Sequence, residues 1–125
     1  MKNQDSFKSR KFFHIGKKKY LYYSLKEAQK NGLKNINRLP FSLRILLENL
    51  LRNEDGNAVK KKDIISINSW IKNRKSKNEI AFNPARILMQ DLTGVPAVVD
   101  LASMREAIEK RGGDAKKINP LVPVD

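Results

Sequence analysis

The chain has 125 residues, of which 40% are hydrophobic and 31% charged, a composition typical of one globular domain at most. It has no cysteine, which excludes disulfides and thiolate metal ligands within these residues and is compatible with a reducing cytoplasm. The net charge of +13 suits a polyanionic partner, but its lysines cluster in asparagine-rich stretches, where we prefer a solvated basic face.

The first 23 residues are expected to hold a tail and a β-hairpin. Residues 1–10 are polar and predict a disordered tail without the apolar segment of a secretory signal. Lys11–Ile15 and Tyr20–Tyr23 are β-prone runs, and Gly16-Lys17 between them suits a turn. Their aromatic side chains suit RNA stacking, but we expect them to pack against their own domain.

Three helical features follow in the middle of the chain. Ser24–Glu27 is a capping-box pattern that starts a short helix ending near Asn31-Gly32. A longer amphipathic helix opens at Pro40–Ser42 and ends at Asn53–Gly56. Asp63 is the expected N-cap of the next helix. The core faces predicted for these two longer helices are Leu43, Leu46, Leu47, Leu50 and Leu51, followed by Ile64, Ile67, Trp70 and Ile71.

The last third begins with an unbroken apolar run, Arg86–Met89, which predicts a strand buried on both faces. Thr93–Pro96 is expected to be a tight connection, because a residue before proline is extended and proline suits the first helical position. A helix is then predicted from about Ala97 to Lys110. Gln90 would present its amide beside the helix N-terminus, where anions are favoured. The inward stripe of this helix is predicted to be Val98, Leu101, Met104 and Ile108. No run approaches the roughly 18 apolar residues of a membrane span, so no membrane partner is expected.

Residues 84–120, PARILMQDLTGVPAVVDLASMREAIEKRGGDAKKINP, resemble the N-terminal region of aconitate hydratases. The resemblance is to the type shared by bacterial aconitase A and cytosolic aconitase/iron regulatory protein. Residues 38–56, RLPFSLRILLENLLRNEDG, and the segment Lys61–Trp70 resemble the same family in the same order. The long ungapped string QDLTGVPAVVDLASMR makes this resemblance far more specific than a short motif would.

The resemblance implies an α/β fold, the incomplete N-terminal part of the aconitase α/β/α domain. It would be mainly helical, with an N-terminal hairpin and one buried strand followed by a helix. Residues 11–84 would form the hairpin and helical segment, and residues 85–125 the first strand–helix unit of a truncated α/β/α domain. A parallel partner for that strand is expected beyond the sequence, so we interpret the chain as a fragment.

The family function implied is hydro-lyase chemistry of the tricarboxylic acid cycle, interconverting citrate and isocitrate through cis-aconitate. The family uses a [4Fe-4S] cluster held by three cysteines, and this chain has none. We therefore expect that the chain binds no metal or cluster, contains no catalytic residue and is inactive alone. Gln90 matches the family glutamine that hydrogen-bonds the substrate, and Asp91 and Thr93 are expected to support its loop.

Two alternatives remain open at this point. A fragment of 2-methylisocitrate dehydratase would share much of this N-terminal pattern. A basic RNA-binding module related to iron regulatory proteins would use the +13 charge, although those proteins grip RNA with several domains, most of which lie outside this chain. For the chain itself we expect a cytoplasmic monomer.

Overall fold

The computed structural model describes residues 3–125, which divide between Asn83 and Pro84 into two compact units. An N-terminal hairpin followed by helices confirms the predicted mixture of helix and strand. Within the described residues, no helix combines the length and the hydropathy that a membrane span requires. The elements are β1 (Arg10–Ile15), β2 (Lys18–Tyr23), α1 (Leu25–Lys30), α2 (Phe41–Asn53), α3 (Lys61–Asn73) and α4 (Asp91–Lys110), with short 3₁₀ turns at Ile36–Arg38 and Ala115–Lys117.

The predicted hairpin is present, since β1 and β2 pair antiparallel with Phe13 opposite Tyr20. Gly16 has a φ of +57° at the turn, a left-handed conformation that glycine adopts at little cost. The expectation that the hairpin aromatics pack against their own domain is wrong except at Tyr23, which is buried. Phe13, Tyr20 and most of their neighbours are exposed, because no second layer from the described part of the chain covers the two-stranded ribbon beyond Tyr23.

The segment before the hairpin is tied to α2, so the disordered tail predicted for residues 1–10 is wrong from residue 3 onward. Asn3 Nδ2 donates to the carbonyl oxygens of Leu51 and Arg52 at 3.0 and 2.7 Å. Those carbonyls lie in the last turn of α2 and have no N–H donor within the helix. Phe7 is buried in the core. Polar composition misled the prediction because these polar side chains satisfy backbone groups instead of facing water.

The leucine stripe of α2 and the apolar face of α3 form the core of the first unit, as predicted. Each fully buried leucine or isoleucine side chain contributes about 1.5–3 kcal/mol relative to an exposed one. Trp70 packs against this core while partly exposed. The buried members on the two helices are Leu47, Leu50, Leu51, Ile64 and Ile67, and the rest of the buried cluster is Phe7, Tyr23, Ala28, Leu33, Ile36, Leu39 and Val59.

Side chains cap both α1 and α3. Ser24 Oγ accepts the N–H of Glu27 at 3.3 Å, which confirms the predicted start of α1. The N-cap predicted at Asp63 is wrong, because the N-cap is Lys60 and α3 begins at Lys61. From the third helical position, the Asp63 carboxylate accepts the N–H of Lys60 at 2.8 Å. A carboxylate at the third helical position can therefore satisfy a backbone N–H just as a carboxylate at the N-cap can.

Arg86–Met89 is not a strand, and the predicted burial on both faces is wrong. Ile87 alone pairs, in a single parallel bridge with Val124. Leu88 is 85% exposed, because no further strand and no second layer of the described chain flank it in this unit. The backbone hydrogen bonds of the bridge are Ile87 N to Pro123 O (2.9 Å), Asp125 N to Ile87 O (3.0 Å) and Met89 N to Asp125 O (2.7 Å).

The last helix, α4, begins at Asp91 and not near Ala97, so the tight connection predicted at Thr93–Pro96 is wrong. These residues form its first turns because Gln90 caps the helix from outside. Pro96 at the sixth helical position removes the N–H that would bond the carbonyl of Leu92. The inward stripe predicted for α4 is also wrong, since none of the helix's residues is buried. The expected end of the helix at Lys110, before the two glycines, is confirmed.

Candidate functional site

An open groove of about 910 Å³ lies in the second unit, where the bridged segments and the first half of α4 line it. Its polar lining residues are Gln90, Asp91 and Asp125, and the remaining lining is apolar or glycine, with Met89 and Val98 among it. This combination of an apolar surface with a few polar groups is the usual composition of a ligand or docking site. Gln90, the substrate-binding residue predicted from the sequence, lies in the lining of this groove.

Gln90 is the N-cap of α4, and its side chain is held in one orientation. Oε1 accepts the N–H of Leu92 at 2.8 Å. A backbone N–H only donates, so the amide oxygen must face Leu92 and the NH₂ group is left at the other end. Within residues 3–125, Nε2 has no acceptor. Gln90 thus lies exposed at the helix mouth, as expected, but it follows a bridge segment instead of a strand.

Thr93 contacts Gln90 at the start of α4, and most of the N–H groups that could bind an anion there already have acceptors. The Thr93 hydroxyl donates to the Gln90 carbonyl oxygen at 3.1 Å, and the Gly94 N–H bonds the same oxygen at 2.9 Å. The N–H groups of Leu92, Thr93 and Gly94 therefore already have Gln90 oxygens as acceptors. Asp91 adds a carboxylate in the first turn, which complements the helix dipole and repels an incoming anion. What the site offers an anion is the Gln90 NH₂ group.

Sequence analysis missed the ion pair between Arg86 and Asp125, which lies at the groove's bridged end. Its partners are 39 positions apart, so neither helical nor strand periodicity brings them together. The hydrogen bond from the Arg86 guanidinium lowers the pKa of Asp125 and raises the pKa of Arg86. Arg86 neutralises Asp125, and within residues 3–125 Asp91 has no ion-pair partner, so the groove residues alone disfavour a tricarboxylate ligand.

The residues present do not fit an iron–sulfur cluster. The sequence has no cysteine, and thiolates are the ligands that hold such clusters. Across residues 3–125, no three histidine, aspartate or glutamate side chains gather closely enough to hold a metal ion. Any cluster chemistry would therefore depend on residues outside this chain.

Comparison with known proteins gives consistent matches. The family model for aconitase, described as aconitate hydratase, matches residues 62–125. A protein named aconitate hydratase A from Bradyrhizobium diazoefficiens is 62% identical over 125 residues, all of this chain. Proteins of the same name from Legionella pneumophila and Escherichia coli are 61% identical over 122 residues and 60% over 108, or 98% and 86% of this chain. The chain spans only 14%, 14% and 12% of the lengths of these three proteins.

Proposed function

Because this chain belongs to the aconitase (aconitate hydratase) family, we propose that it is one part of an enzyme that interconverts citrate and isocitrate through cis-aconitate. The identity of 62% over the whole chain to an aconitate hydratase A carries this proposal. The activity is proposed for the whole enzyme, since the chain spans about 14% of that relative. The [4Fe-4S] cluster of the family would be bound by residues outside these 125.

Within that enzyme we assign Gln90 to substrate binding. Its Nε2 is a donor without an acceptor at the edge of the groove, and the bond from the Leu92 N–H to Oε1 fixes which end of the amide is available. A carboxylate oxygen of the substrate is the acceptor that suits this group. Thr93 supports the assignment by bonding the Gln90 carbonyl oxygen, and Asp91 by starting the helix that Gln90 caps.

The positive charge that balances a tricarboxylate would come from elsewhere in the enzyme. Asp91 lines the groove as a carboxylate, and Arg86 is already paired with Asp125. A buried or enclosed carboxylate without a counter-charge is costly. The chain alone is therefore proposed to have neither measurable affinity for citrate nor activity.

The test uses the Bradyrhizobium relative with its matching 125 residues replaced by this chain. Gln90→Glu keeps the oxygen that accepts the Leu92 N–H but replaces the donor with a negative charge. We expect KM for citrate to rise about 10- to 100-fold, the loss of one hydrogen bond to a charged group. Asn78→Asp, which adds the same charge at an exposed loop position, is the matched control. An unchanged KM in Gln90→Glu would remove the assigned role.

The whole enzyme that carries this chain separates the alternative, 2-methylisocitrate dehydratase, from the favoured function. The chimera cannot do so, because the rest of it comes from an aconitate hydratase A and sets its substrate preference. Turnover of citrate with little turnover of 2-methylisocitrate supports aconitate hydratase, and the opposite preference supports the alternative.

A cytoplasmic location and a monomeric state are also proposed; the absence of cysteine supports the first, and light scattering on the purified chain tests the second.

A further inference from the structure

Asp125 holds the segment that leads to Gln90 by three bonds. Its backbone N–H donates to the carbonyl oxygen of Ile87 at 3.0 Å, and its carbonyl oxygen accepts the N–H of Met89 at 2.7 Å. Its side-chain carboxylate accepts a hydrogen bond from the guanidinium of Arg86 and forms an ion pair with it. One residue therefore contacts three of the four positions that precede Gln90.

The backbone bonds of this bridge do not by themselves fix its register. Every residue other than proline carries the same N–H and C=O, so a shift by two positions would restore a similar pattern of bonds and keep each side chain on its face. Burial does not select a register here either, since no residue from Pro84 to Asp125 is buried. The ion pair between Arg86 and Asp125 depends on side-chain identity, and it therefore distinguishes the observed register from the others.

The register of the bridge decides where Gln90 lies. Met89 is bonded to Asp125, and Gln90 follows Met89 directly as the N-cap of α4. A shift by two positions would move Gln90 by about 7 Å along the partner segment. That displacement is more than twice the length of a hydrogen bond, so the Gln90 donor would lose any acceptor that it meets in the observed register.

We propose that Arg86 and Asp125 are positioning residues for the substrate-binding amide of Gln90, and that they act through the register of the bridge. This rests on the proposed function, because Gln90 is assigned to substrate binding in that enzyme. A role in stability alone is less well supported. The two side chains are 69% and 43% exposed, and exposed ion pairs contribute little to stability.

Kinetics of the chimera separate register from charge. If the pair holds the register, Arg86→Ala and Asp125→Ala should each raise KM for citrate about 10-fold and leave kcat within about 2-fold, as expected for a lost binding contact. If Arg86 only neutralises the carboxylate in the groove, Asp125→Ala should instead lower KM, because it removes a charge that repels citrate. The matched control is Lys110→Ala, which breaks an exposed ion pair with Glu106 at the other end of α4 and should leave KM unchanged.

Disulfide formation measures the register without turnover, because the 125-residue chain has no cysteine of its own. Ile87 and Val124 are the bridge partners, whereas Val122 lies two positions out of register. In glutathione buffer, Ile87→Cys/Val124→Cys should form its disulfide at least about 10-fold more favourably than Ile87→Cys/Val122→Cys. Adding Arg86→Ala should reduce this preference to less than about 3-fold, and adding Lys110→Ala should preserve it.

The outcomes separate this inference from the proposed function. An unchanged disulfide preference in Arg86→Ala overturns the inference whatever the kinetics, and so does a lowered KM in Asp125→Ala. A parent chain without any preference overturns it too, because the bridge would then have no fixed register. A lost preference with unchanged KM in both single variants also overturns it. The effect of Gln90→Glu on KM then tests the assignment of Gln90 separately.

Discussion

Arg86 and Asp125 lie 39 positions apart and form an ion pair, each next in sequence to one member of the bridge between Ile87 and Val124. The pair joins the two ends of the second unit in a place where no apolar core does so. Its partners are largely exposed, so its strength depends on pH and on salt.

The Asp125 side-chain carboxyl should therefore titrate below the usual range of about 4. Because its pKa is lowered by Arg86 in the folded chain, the contribution of the pair is present above the unfolded pKa and disappears as pH falls through the folded pKa. In Arg86→Ala the pKa should rise toward the usual value. Carbon-13 NMR of the side-chain carboxyl measures it, with Lys116→Ala as the control, and equal pKa values in Arg86→Ala and the unmodified chain would contradict the assignment.

Asp55 should contribute to the acid sensitivity of the first unit. Its Oδ1 accepts the N–H groups of Val59 and Asn57, both at 2.9 Å, and these bonds lower its pKa. Its contribution is present above about pH 4 and is lost as pH falls through the folded pKa. Asp55→Ala should lower Tm at pH 7 more than at pH 3, and Asp55→Asn, which keeps the acceptor oxygen, should lower it less. An equal Tm loss at both pH values would refute this.

Glu54 is fully buried, and replacement by alanine should cost more stability than replacement by glutamine. Oε2 accepts the Ser6 N–H at 2.8 Å, while Oε1 has no partner in the described part of the chain. Glu54→Ala leaves that N–H unsatisfied and should cost about 1–3 kcal/mol of the free energy of unfolding. Glu54→Gln keeps an acceptor for the Ser6 N–H, so it should cost less than Glu54→Ala. Urea unfolding measures both, and a larger loss for glutamine than for alanine would contradict the account.

Apolar truncation should distinguish the unit that has a core from the one that does not. Leu47 is fully buried, so Leu47→Ala should cost about 2–5 kcal/mol of the free energy of unfolding. Val99 is exposed, and Val99→Ala should change it by less than about 0.5 kcal/mol in the isolated chain. Denaturant unfolding followed by circular dichroism tests the pair. A cost for Val99→Ala similar to that for Leu47→Ala would mean that α4 is already packed.

The RNA alternative predicts binding through the basic hairpin. We expect only weak, unselective binding of poly(U) by the isolated chain, with an affinity that falls steeply between about 50 and 200 mM salt. Phe13→Ala should leave that affinity unchanged, because such binding depends on contacts between basic side chains and phosphates and the substitution removes no positive charge. Filter binding measures this, and a large loss in Phe13→Ala would favour base stacking.

Periodicity predicted the elements whose covering layer lies within these residues. The leucine spacing of α2 identifies both the helix and its buried face, because α3 supplies the opposing surface. The same rule failed for Arg86–Met89, where an apolar run indicates a need for burial without saying what provides it. At Pro96 the local preference for a helix start was outweighed by the cap at Gln90.

The candidate site was only partly predictable. Gln90 was selected through a family resemblance, and turn chemistry alone would not have separated it from other polar residues at helix starts. Its capping bond with the Leu92 N–H exists because α4 starts at Asp91. The preference of proline for the first helical position had instead predicted a start near Ala97. The Arg86–Asp125 pair leaves no signal in sequence spacing at all.

Trp70 is the single tryptophan and packs against the core of the first unit, whereas residues 84–125 contain no phenylalanine, tyrosine or tryptophan. Intrinsic tryptophan fluorescence therefore reports on the core formed by α2 and α3 and does not report on α4. A sharp fluorescence melting curve would therefore show that the first unit is folded and would give no information about the second unit, which carries Gln90.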